Sequence, residues 1–458
     1  MVMFIARRSK ADLVSPARRT PREILALSDV DSFPKVRFYS AVVEFFCRCP
    51  NEGYSPDDPA KAIKTALAEA LVCYYPIAGR LRELPDGRLA VDCTEEGVVF
   101  VEADADICLE DLGLPRPYPC VDQFLCAIGK ITDIIGRPLV FIQKCWVTRL
   151  RCGGFVIGAH ICHAIADGTG MIQFIQAIAD LARGETHPAV LPVWRREILT
   201  ARNPPCVTHP EIYPAYELLE NSSRSKTTDP MLSTPIRRMV GRYFLFGQRE
   251  VDTLRSHLPE HLRKCATAFE LLTSVMWRCR TMALGYDASE RTRLAYLSDA
   301  RGRWSKDLHI PQGYYGNAVY CPTVEVSVDE LCGQPLGHVL ELVRMAKFNV
   351  TEEHMKSMVD AMAMLRGKLS AVDRPSVYEV SDIRHLGEDK INFGWAKWLT
   401  GGVAVPMLTS FHMKSKKPDG EDVIAVSMLL PKPVMERFSK QMAFLLNQDT
   451  RKFTRSFL

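Results

Sequence analysis

Apolar residues recur along the chain with two different spacings. They alternate with polar residues in the runs 88–103 and 139–163, which is the period-two pattern of β-strands. They recur every three or four positions in 59–75 and 268–284, which is the pattern of amphipathic helices. Because strand-like and helix-like runs are interleaved, the sequence predicts a mixed α/β fold rather than a helix bundle or a β-sandwich.

One strand-like run leads directly into a helix-like one. Residues 155–163 fit a strand, and Asp167 and Gly168 form a strong turn signal after it. Thr169 is the expected N-cap of the following helix. The apolar positions of that helix share one face, and they are Met171, Phe174, Ile175, Ile178 and Ala182. The pattern therefore places His163 where a rigid strand ends and an accessible loop begins, a common location for chemistry.

The length of the chain and its prolines suggest two halves. A chain of 458 residues exceeds what one hydrophobic core usually serves. Eight of the 29 prolines fall within 187–235, together with a polar run, which is typical of a crossover between domains. We expect an N-terminal domain over 1–190, a linker over 191–235 and a C-terminal domain over 236–458.

Composition and charge exclude several classes of protein. The hydrophobic fraction of 47% and the charged fraction of 24% are those of an ordinary folded protein. A net charge of +4, without a Lys/Arg block interleaved with aromatic residues, argues against nucleic acid as a partner. No apolar run is long enough to cross a bilayer, and the N-terminal one is too short for a signal peptide. The sequence therefore predicts a soluble protein without a membrane span.

Cysteine usage bears on the compartment. The 15 cysteines are scattered and include no C-x-x-C pair, which is typical of a reduced intracellular protein and favours the cytoplasm. The C-terminal residues 456–458, SFL, are a weak match to the peroxisomal signal because the middle residue is not basic.

Two histidines, a cysteine and an aspartate fall within 160–167. Side chains alternate between the faces of a strand, so His160 and His163 point in opposite directions, and only Cys162 shares a face with His160. Two ligands are too few for zinc, and nothing nearby in the sequence supplies more. The pattern therefore predicts no metal site here.

His163 has two interpretations. As a neutral imidazole with an ordinary pKa near ~6.5, it can accept a proton from a hydroxyl that attacks a carbonyl carbon. Asp167, if buried behind it, needs a basic partner and would pin the loop and orient the histidine. The alternative is a core histidine beside a turn aspartate. Spacing alone does not decide, since about one such pair is expected by chance among 11 histidines and 54 acidic residues.

Signatures of other enzyme classes are missing from the sequence. It contains no G-x-S-x-G elbow, no P-loop, no G-x-G-x-x-G opening a βαβ unit and no H-E-x-x-H. Serine hydrolysis, nucleotide phosphate chemistry and zinc peptidase activity therefore have no support.

Four short motifs occur in a fixed order along the chain. They are YYPIAGRLRE at 74–83, H-x-x-x-D-G at 163–168, GYYGN at 313–317 and NFGWA at 392–396. Their order and spacing resemble the plant BAHD acyltransferase family over essentially the whole chain. The subgroup that it resembles most comprises benzyl alcohol benzoyltransferases, alcohol acyltransferases and taxane acyltransferases.

The resemblance implies a fold and a reaction. The fold would be two domains resembling chloramphenicol acetyltransferase, each a mixed sheet with flanking helices, with a channel between them. An acyl-CoA and an acceptor alcohol or amine would meet at His163, the general base. The deprotonated acceptor would attack the thioester carbonyl and expel CoA without a covalent acyl-enzyme. The family also implies a monomer with no permanently bound cofactor.

The resemblance further implies roles for individual residues. Asp167 would point away from the substrate and pair with Arg301. Gly168 would let the backbone turn tightly beside the base, where a Cβ atom would crowd the approach. Gly394 and Trp395 would shape the domain and its CoA channel from outside the reacting centre.

Three other features are expected to be structural. The segment 74–83 would lie beside the channel without a chemical role. Tyr314 to Asn317 would form a packing turn near the domain interface. His160 would be a structural histidine on the opposite face of its strand.

The sequence departs from the family pattern at three places. Asn392 replaces the usual aspartate of the DFGWG motif and removes a charge that would pair with a basic residue. Ala396 replaces the final glycine, at a cost of about 1 kcal/mol or more if that position has a positive φ. Lys144, Cys145 and Trp146 are extra residues that would reverse the facing of their strand unless they bulge out.

The resemblance also suggests substrates. We expect benzoyl-CoA or acetyl-CoA as the donor and a small alcohol such as benzyl alcohol as the acceptor. One alternative is an acyltransferase for a bulkier terpenoid or phenylpropanoid acceptor, and another is a degenerate member that binds without turnover. A peptide-synthetase condensation domain is disfavoured because Cys162 occupies the position of the first of its two histidines.

Overall fold

The computed structural model describes residues 4–49, 56–112, 121–125, 133–141, 147–209, 229–304, 308–348, 350–366, 377–417 and 420–447. The helices in these stretches are α1 (Pro59–Cys73), α2 (Val121–Phe124), α3 (Gly168–Ala182), α4 (Pro230–Ser233), α5 (Gln248–Arg255), α6 (Glu260–Arg263), α7 (Ala268–Leu284), α8 (Val328–Gly333), α9 (Leu336–Phe348), α10 (Glu352–Met364) and α11 (Lys432–Asn447).

The strands in the same stretches are β1 (Arg7–Arg8), β2 (Asp12–Val14), β3 (Ile24–Ala26), β4 (Tyr39–Arg48), β5 (Arg80–Glu83), β6 (Leu89–Asp92), β7 (Val98–Phe100), β8 (Glu102–Ala105), β9 (Val140–Phe141), β10 (Val147–Leu150), β11 (Phe155–Cys162), β12 (Met239–Phe246), β13 (Arg291–Asp299), β14 (Val319–Tyr320), β15 (Thr323–Ser327), β16 (Val377–Asp382), β17 (Ala396–Val403), β18 (Ser410–Lys416) and β19 (Asp422–Pro431).

The first large sheet has the order β1-β8-β10-β11-β4-β17, and β9 also pairs with β11. Strand β11 lies between β10 and β4 and is antiparallel to both. All of its residues are buried, as expected of a central strand covered on both faces. Apolar side chains of α1 and α3 join those of β11 and β4 in one core.

The capping residues of α1 and α3 define where these two helices begin. Asp58 precedes α1 and accepts hydrogen bonds from the backbone N–H groups of Ala60 and Lys61. Asp167 precedes α3 and accepts one from Gly170 N–H. Thr169, the expected N-cap, instead lies inside the first turn, because the longer reach of the aspartate already satisfies the free backbone donor.

The second large sheet has the order β12-β19-β18-β16-β13-β14, with β15 also paired to β13. Its parallel pairs are β13 with β16 and β16 with β18. Side chains of α7 and α11 pack with this sheet in a second core. Helix α7 begins with a reciprocal capping box between Thr267 and Glu270 and ends at Gly285, which has a φ of 74°. The two sheets with their helices confirm the mixed α/β class.

The boundaries expected from the sequence do not separate the two sheets. Strand β17 belongs to the segment assigned to the C-terminal domain, yet it pairs antiparallel with β4 of the first sheet. Phe393 and Trp395, which lie just before β17, are buried in the first core and hold this strand against the first sheet. Residues 391–403 of the segment expected to form the C-terminal domain therefore pack with the N-terminal half.

The described part of the crossover is anchored rather than free. Arg196 is 1% exposed and Leu199 is fully buried. Arg202 donates hydrogen bonds to the carboxylate of Asp360 on α10 through its backbone N–H and its Nε. Leu199 belongs to a separate apolar cluster with Met358 of α10, and Trp194 packs against the first core, which proline content alone does not reveal.

Several local expectations can now be compared with the structure. The helix predicted over 268–284 is confirmed, and the one predicted over 59–75 ends at Cys73. The predicted strand ends one residue early, at Cys162. Lys144, Cys145 and Trp146, and the C-terminal SFL, lie outside the described residues. No helix in the described stretches combines the length and apolarity needed to span a membrane.

Candidate active site

His163 follows β11 directly and faces a cavity. Its backbone N–H donates to Phe38 O at 2.8 Å, so β4 still holds the backbone one residue beyond the strand. The imidazole packs against the Phe38 ring at a centroid distance of 5.1 Å. The side chain lines a cavity of about 910 Å³ to which both halves of the chain contribute. The histidine is thus fixed by its backbone while its ring remains accessible from the cavity.

Asp167 turns its carboxylate into a set of buried donors. In addition to Gly170 N–H at 2.9 Å, it accepts Ala318 N–H at 3.0 Å. The guanidinium of Arg301 binds it in a bidentate manner at 2.9 and 3.1 Å. This ion pair joins the start of α3 to the C-terminal half. The carboxylate therefore holds the loop 163–167 in place, and its hydrogen-bond partners are donors other than the imidazole.

Arg301 makes contacts beyond Asp167. It donates to the backbone oxygens of Tyr314 and Gly316 at 3.0 and 2.6 Å, and to Asp299 Oδ1 at 3.0 Å. The acidic neighbours raise the pKa of Arg301, despite the larger opposing effect of burial. The guanidinium is therefore a fixed positive charge that fastens the segment 314–318 beneath the loop.

A second aspartate–arginine pair lies beneath the same loop and was missed by sequence reasoning. Arg196 donates to Asp31 Oδ2 at 3.0 Å, and both side chains are at most 2% exposed. Arg196 also donates to Ile165 O at 2.9 Å, within the loop itself. Its guanidinium lies over the rings of Trp194 and Tyr315 at 4.4 and 4.8 Å. No local sequence signal marks the pair, since Arg196 lies in the charged run 195–197 and 165 positions separate it from Asp31.

Asn317 connects this second pair to the histidine. Its Nδ2 donates to Asp31 Oδ1 and to His163 O, both at 2.8 Å. Its backbone N–H donates to the same oxygen of Asp31 at 2.8 Å. The residue is fully buried and lines the cavity. GYYGN is therefore more than a packing turn, because its last residue contacts the backbone of His163.

Burial lowers the pKa of His163 below its ordinary value. The charge of Asp167, the histidine's own backbone carbonyl, Asn317 and Asp31 oppose that decrease, in this order. Desolvation disfavours the imidazolium, so the neutral ring is the form present near neutral pH. A neutral imidazole in a largely apolar cavity can accept a proton.

Glycines beside the loop allow close packing. A Cβ atom on Gly168 would lie 2.8 Å from a methyl group of Leu386, so the crowding there comes from a side chain. A Cβ atom on Gly170 would lie 2.0 Å from Tyr315 O, which is backbone and cannot move aside. Gly170 is therefore the stricter requirement, and the motif H-x-x-x-D-G did not point to it.

The NFGWA segment is structural in its contacts. Gly394 has a φ of 84°, and its N–H donates to Asn392 Oδ1 at 2.8 Å. Arg183 donates to Asn392 O, so a basic residue still binds where the family's aspartate is lost. Ala396 begins β17 in extended conformation, so the strain considered for a positive φ does not arise. None of the residues 392–396 lines the cavity.

The cavity walls are mainly apolar. Aromatic and sulfur-containing side chains line it from both halves, and these are Phe33, Phe38, Met171, Met358, Met362, Met407 and Phe411. Carboxylates also reach the lining, and these are Glu44, Asp167, Asp299, Glu379, Asp382 and Glu388. The segment 74–83 contributes nothing to this lining.

Comparisons with known proteins agree on one family. A family model described as the Transferase family matches residues 6–445. Acyl transferase 1 of Oryza sativa subsp. japonica is 50% identical, with 99% of this chain and 98% of that protein covered. Spermidine hydroxycinnamoyltransferase 1 of the same organism is 47% identical over 92% and 95% of the two chains. Benzyl alcohol O-benzoyltransferase of Nicotiana tabacum is 42% identical over 98% and 95%.

A solved structure supports the fold independently. Vinorine synthase superposes with a TM-score of 0.72, covering 97% of this chain and 99% of its own, at 19% sequence identity. At that identity the likeness concerns the fold alone.

Proposed function

The chain belongs to the BAHD transferase family and is an acyltransferase, and on this premise we propose that it is an acyl-CoA-dependent O-acyltransferase with His163 as general base. The observation that carries the proposal is a neutral imidazole held at the wall of a cavity to which both halves contribute. A cavity of about 910 Å³ has room for the reacting parts of both substrates at the ring, as a ternary complex requires.

The imidazole of His163 would act as the general base in the acyl transfer. The free nitrogen of His163 accepts the proton of the acceptor hydroxyl as the oxygen attacks the thioester carbonyl carbon, a contribution worth typically ~10²–10⁴ in rate. The C–S bond then breaks and the CoA sulfur leaves, taking the proton back from the imidazolium. No covalent acyl-enzyme forms, because the acceptor oxygen itself attacks the thioester. Asp167 takes no part in the proton transfer and holds the loop through its pair with Arg301.

We propose an aromatic acyl group, of the benzoyl or hydroxycinnamoyl type, as the preferred donor and acetyl as a weaker one. Phe33, Phe38 and Phe411 offer apolar and aromatic surface to such a group. Two of the relatives carry benzoyl or hydroxycinnamoyl groups in their names. Benzyl alcohol is the reference acceptor, and a cavity of about 910 Å³ also has room for a bulkier phenylpropanoid alcohol.

An amine acceptor is a second candidate. The relative named for spermidine is 47% identical over 92% of this chain. Of the carboxylates that line the cavity, Glu379 and Asp382 already pair with Lys35 and Arg384, so the candidate rests on this relative.

A binding protein without turnover is disfavoured. Of the features that suggested it, Asn392 and Ala396 are accommodated without loss of the local hydrogen bonds or the strand. The third feature, the insertion of Lys144, Cys145 and Trp146, lies outside the described residues, while His163 and Asp167 are both in place.

The test is a substrate panel with the purified protein. Release of CoA thiol and product mass would be measured with benzoyl-CoA, hydroxycinnamoyl-CoA and acetyl-CoA against benzyl alcohol, hexenol, a hydroxycinnamyl alcohol and spermidine. We expect ester formation that is fastest with an aromatic donor and is lost in His163→Ala. A folded wild-type protein that binds the acyl-CoA esters but releases no thiol would overturn the proposal. Amide formation alone would select the second candidate.

A further inference from the structure

We propose that Cys108, Glu110 and Cys152 form a binding site for a thiophilic divalent cation, with Zn²⁺ as the expected ion. The site lies at the opposite end of β11 from His163, and none of these three described residues lines the cavity. The inference therefore goes beyond the proposed function and does not depend on it.

The distances between the ligand atoms suit a metal ion. The two thiol sulfurs and one carboxylate oxygen all lie within 4.8 Å of one another. Zinc binds thiolate sulfur at about 2.3 Å and carboxylate oxygen at about 2.0–2.2 Å, so ligands in a tetrahedral site stand roughly 3.6–3.8 Å apart. Side-chain movements of about 1 Å therefore close the group around an ion.

Two separate segments of the chain bring these ligands together. Cys108 and Glu110 follow β8, whereas Cys152 lies in the turn between β10 and β11. The N–H of Arg151 donates to Ile107 O at 3.1 Å, which extends the parallel pairing of β8 with β10 as far as the two cysteines. Because both backbones are held in place without an ion, binding has to order only the side chains.

Local contacts fix the backbone at each cysteine. Gly153 has a φ of 81°, and its N–H donates to Leu150 O at 3.0 Å, which closes the turn that carries Cys152. The N–H of Cys108 donates to Asp111 Oδ2 at 3.1 Å. Cys152 also packs against an apolar cluster of side chains from β4, β8 and β11. Such partial shielding from water strengthens the attraction between a thiolate and a cation.

The surrounding charges are compatible with a cation bound by thiolates. Arg151 donates to Asp106 Oδ1 at 3.2 Å and to Asp111 Oδ2 at 3.3 Å, so carboxylates balance its charge. A hydrogen bond with the thiol of Cys108 is the largest cause of the raised pKa of Arg151. A bound zinc ion deprotonates a coordinating thiol outright, so the ion would replace two thiol protons, which leave to the solvent.

The types of ligand select the class of ion. Thiolates prefer Zn²⁺ and other soft cations, whereas Mg²⁺ and Ca²⁺ take oxygen ligands. Two sulfurs and one oxygen leave a fourth tetrahedral position, which solvent can fill because Glu110 is exposed. An ion held in this way ties the turn before β11 to the segment after β8. It would stabilise the first sheet and take no part in acyl transfer.

The direct test is a titration of the purified, reduced and metal-free protein with Co²⁺, whose absorption spectrum reports its ligands. Thiolate ligands give a charge-transfer band in the near ultraviolet, and tetrahedral geometry gives intense visible bands. We expect both, saturating at about one ion per chain, and we expect Zn²⁺ to abolish them by displacing Co²⁺. A protein with intact thiols that shows neither band would overturn the proposal.

Variants of the two cysteines locate the site. Cys108→Ser and Cys152→Ser should each weaken Zn²⁺ binding by at least ~10–100-fold, since even the loss of an outer-shell partner has an effect of this size. Competition with a chromophoric chelator measures the affinity. The matched control is Cys206→Ser, which alters an exposed cysteine outside the cluster and should bind as wild type does. Equal affinity in all three variants would exclude this site.

Glu110→Gln tests the third ligand at an exposed position where folding is not at risk. The charge-transfer band should remain while the affinity for Zn²⁺ falls, and an unchanged affinity would overturn the three-ligand site. Zn²⁺ should also raise the melting temperature of wild type and of Cys206→Ser, but not that of Cys108→Ser, because only a folded site binds the ion tightly. None of these measurements uses turnover, so their outcome is independent of the proposed function.

Discussion

Two aspartate–arginine pairs hold the loop that carries His163, and they differ in their surroundings. The rim pair, Asp167 with Arg301, lies at the cavity, and its side chains are 6% and 15% exposed. The sealed pair, Asp31 with Arg196, is 0% and 2% exposed. The rim pair fixes the end of the loop at α3, whereas the sealed pair holds its middle and the backbone of the base.

The two pairs are expected to contribute differently to stability and to the geometry of the loop. Both carboxylates keep other donors if their arginine is lost, since Asp167 keeps Gly170 N–H and Ala318 N–H, and Asp31 keeps donors on Asn317 and Ser28. What differs is solvent access, because Asp167 lines the cavity whereas Asp31 is 0% exposed. Arg196 is the cation that neutralises Asp31 in a site closed to water, and breaking such a pair leaves an uncompensated buried charge. The sealed pair should therefore matter more for stability, and the rim pair more for the geometry at the reacting end of the loop.

The largest effect is expected from Arg196→Met. The free energy of unfolding should fall by about 3–5 kcal/mol, because Asp31 is then buried without its cation. Urea denaturation of the variant measures this loss. The control is Arg301→Met, which should lose about 1–3 kcal/mol because Asp167 lines the cavity and is not sealed from solvent. Equal losses in the two variants would remove the distinction between the pairs.

Asp167→Asn should act mainly on catalysis. The amide of asparagine turns a donor toward Arg301 in place of one acceptor, so the end of the loop shifts. A displacement of about 1 Å at the base can cost roughly 10²-fold in rate, and we expect a fall in kcat of that order. Initial rates of thiol release give kcat, and the melting temperature shows whether the variant is folded. A folded variant with wild-type kcat would contradict the assignment of the rim pair to loop geometry.

The pH dependence of kcat/KM should also distinguish the two pairs. Since burial lowers the pKa of His163, the acid limb of kcat/KM should have its midpoint below ~6.5. Asp167 and, less strongly, Asp31 stabilise the imidazolium and so raise that pKa. Removing either charge should move the limb to lower pH, and the shift should be larger for Asp167→Asn than for Asp31→Asn. A limb that moves to higher pH in either variant would contradict this account.

The lowered pKa of His163 should also make the free energy of unfolding depend on pH. The unfolded chain, with an ordinary histidine pKa, binds a proton that the folded chain excludes from His163. The contribution of this residue to stability is therefore present at neutral pH and declines as the pH falls below about 6.5. Urea midpoints of wild type and His163→Gln between pH 5 and 8 would show whether the slope depends on this residue.

The smallest effect is expected away from both pairs, at Asn392→Asp. The new carboxylate would retain the hydrogen bond from Gly394 N–H and gain attraction to Arg183, whose side chain is 26% exposed. A partly exposed pair of this kind is worth about 0–1 kcal/mol, so we expect a slightly higher melting temperature and an unchanged kcat. A large change in kcat would mean that this segment acts on the reacting centre.

The rim pair could be predicted, and the sealed pair could not. Asp167 lies in a motif with turn and helix signals around it, and the family resemblance supplied Arg301 as its partner. Asp31 and Arg196 belong to no periodic pattern, and their pairing depends on how the crossover packs against the first sheet. Local periodicity carries no information about such long-range contacts.

The same limit applies to the fold. The strand β11 and the helices α3 and α7 could be predicted because alternation and helical spacing are local properties. The pairing of β17 with β4 could not, since an alternating run fits the edge of either sheet equally well. The burial of Phe393 and Trp395 in the first core determines which sheet β17 joins.

The most direct test of the central claim is the turnover number of His163→Ala with the best donor and acceptor of the substrate panel. If the ring is the base as proposed, kcat should be lower by about 10²–10⁴-fold, with a melting temperature close to that of wild type because the packing of the ring is a minor part of the core. A folded His163→Ala protein that retains kcat within a few-fold of wild type would contradict the claim that this histidine, held by the two pairs, performs the proton transfer.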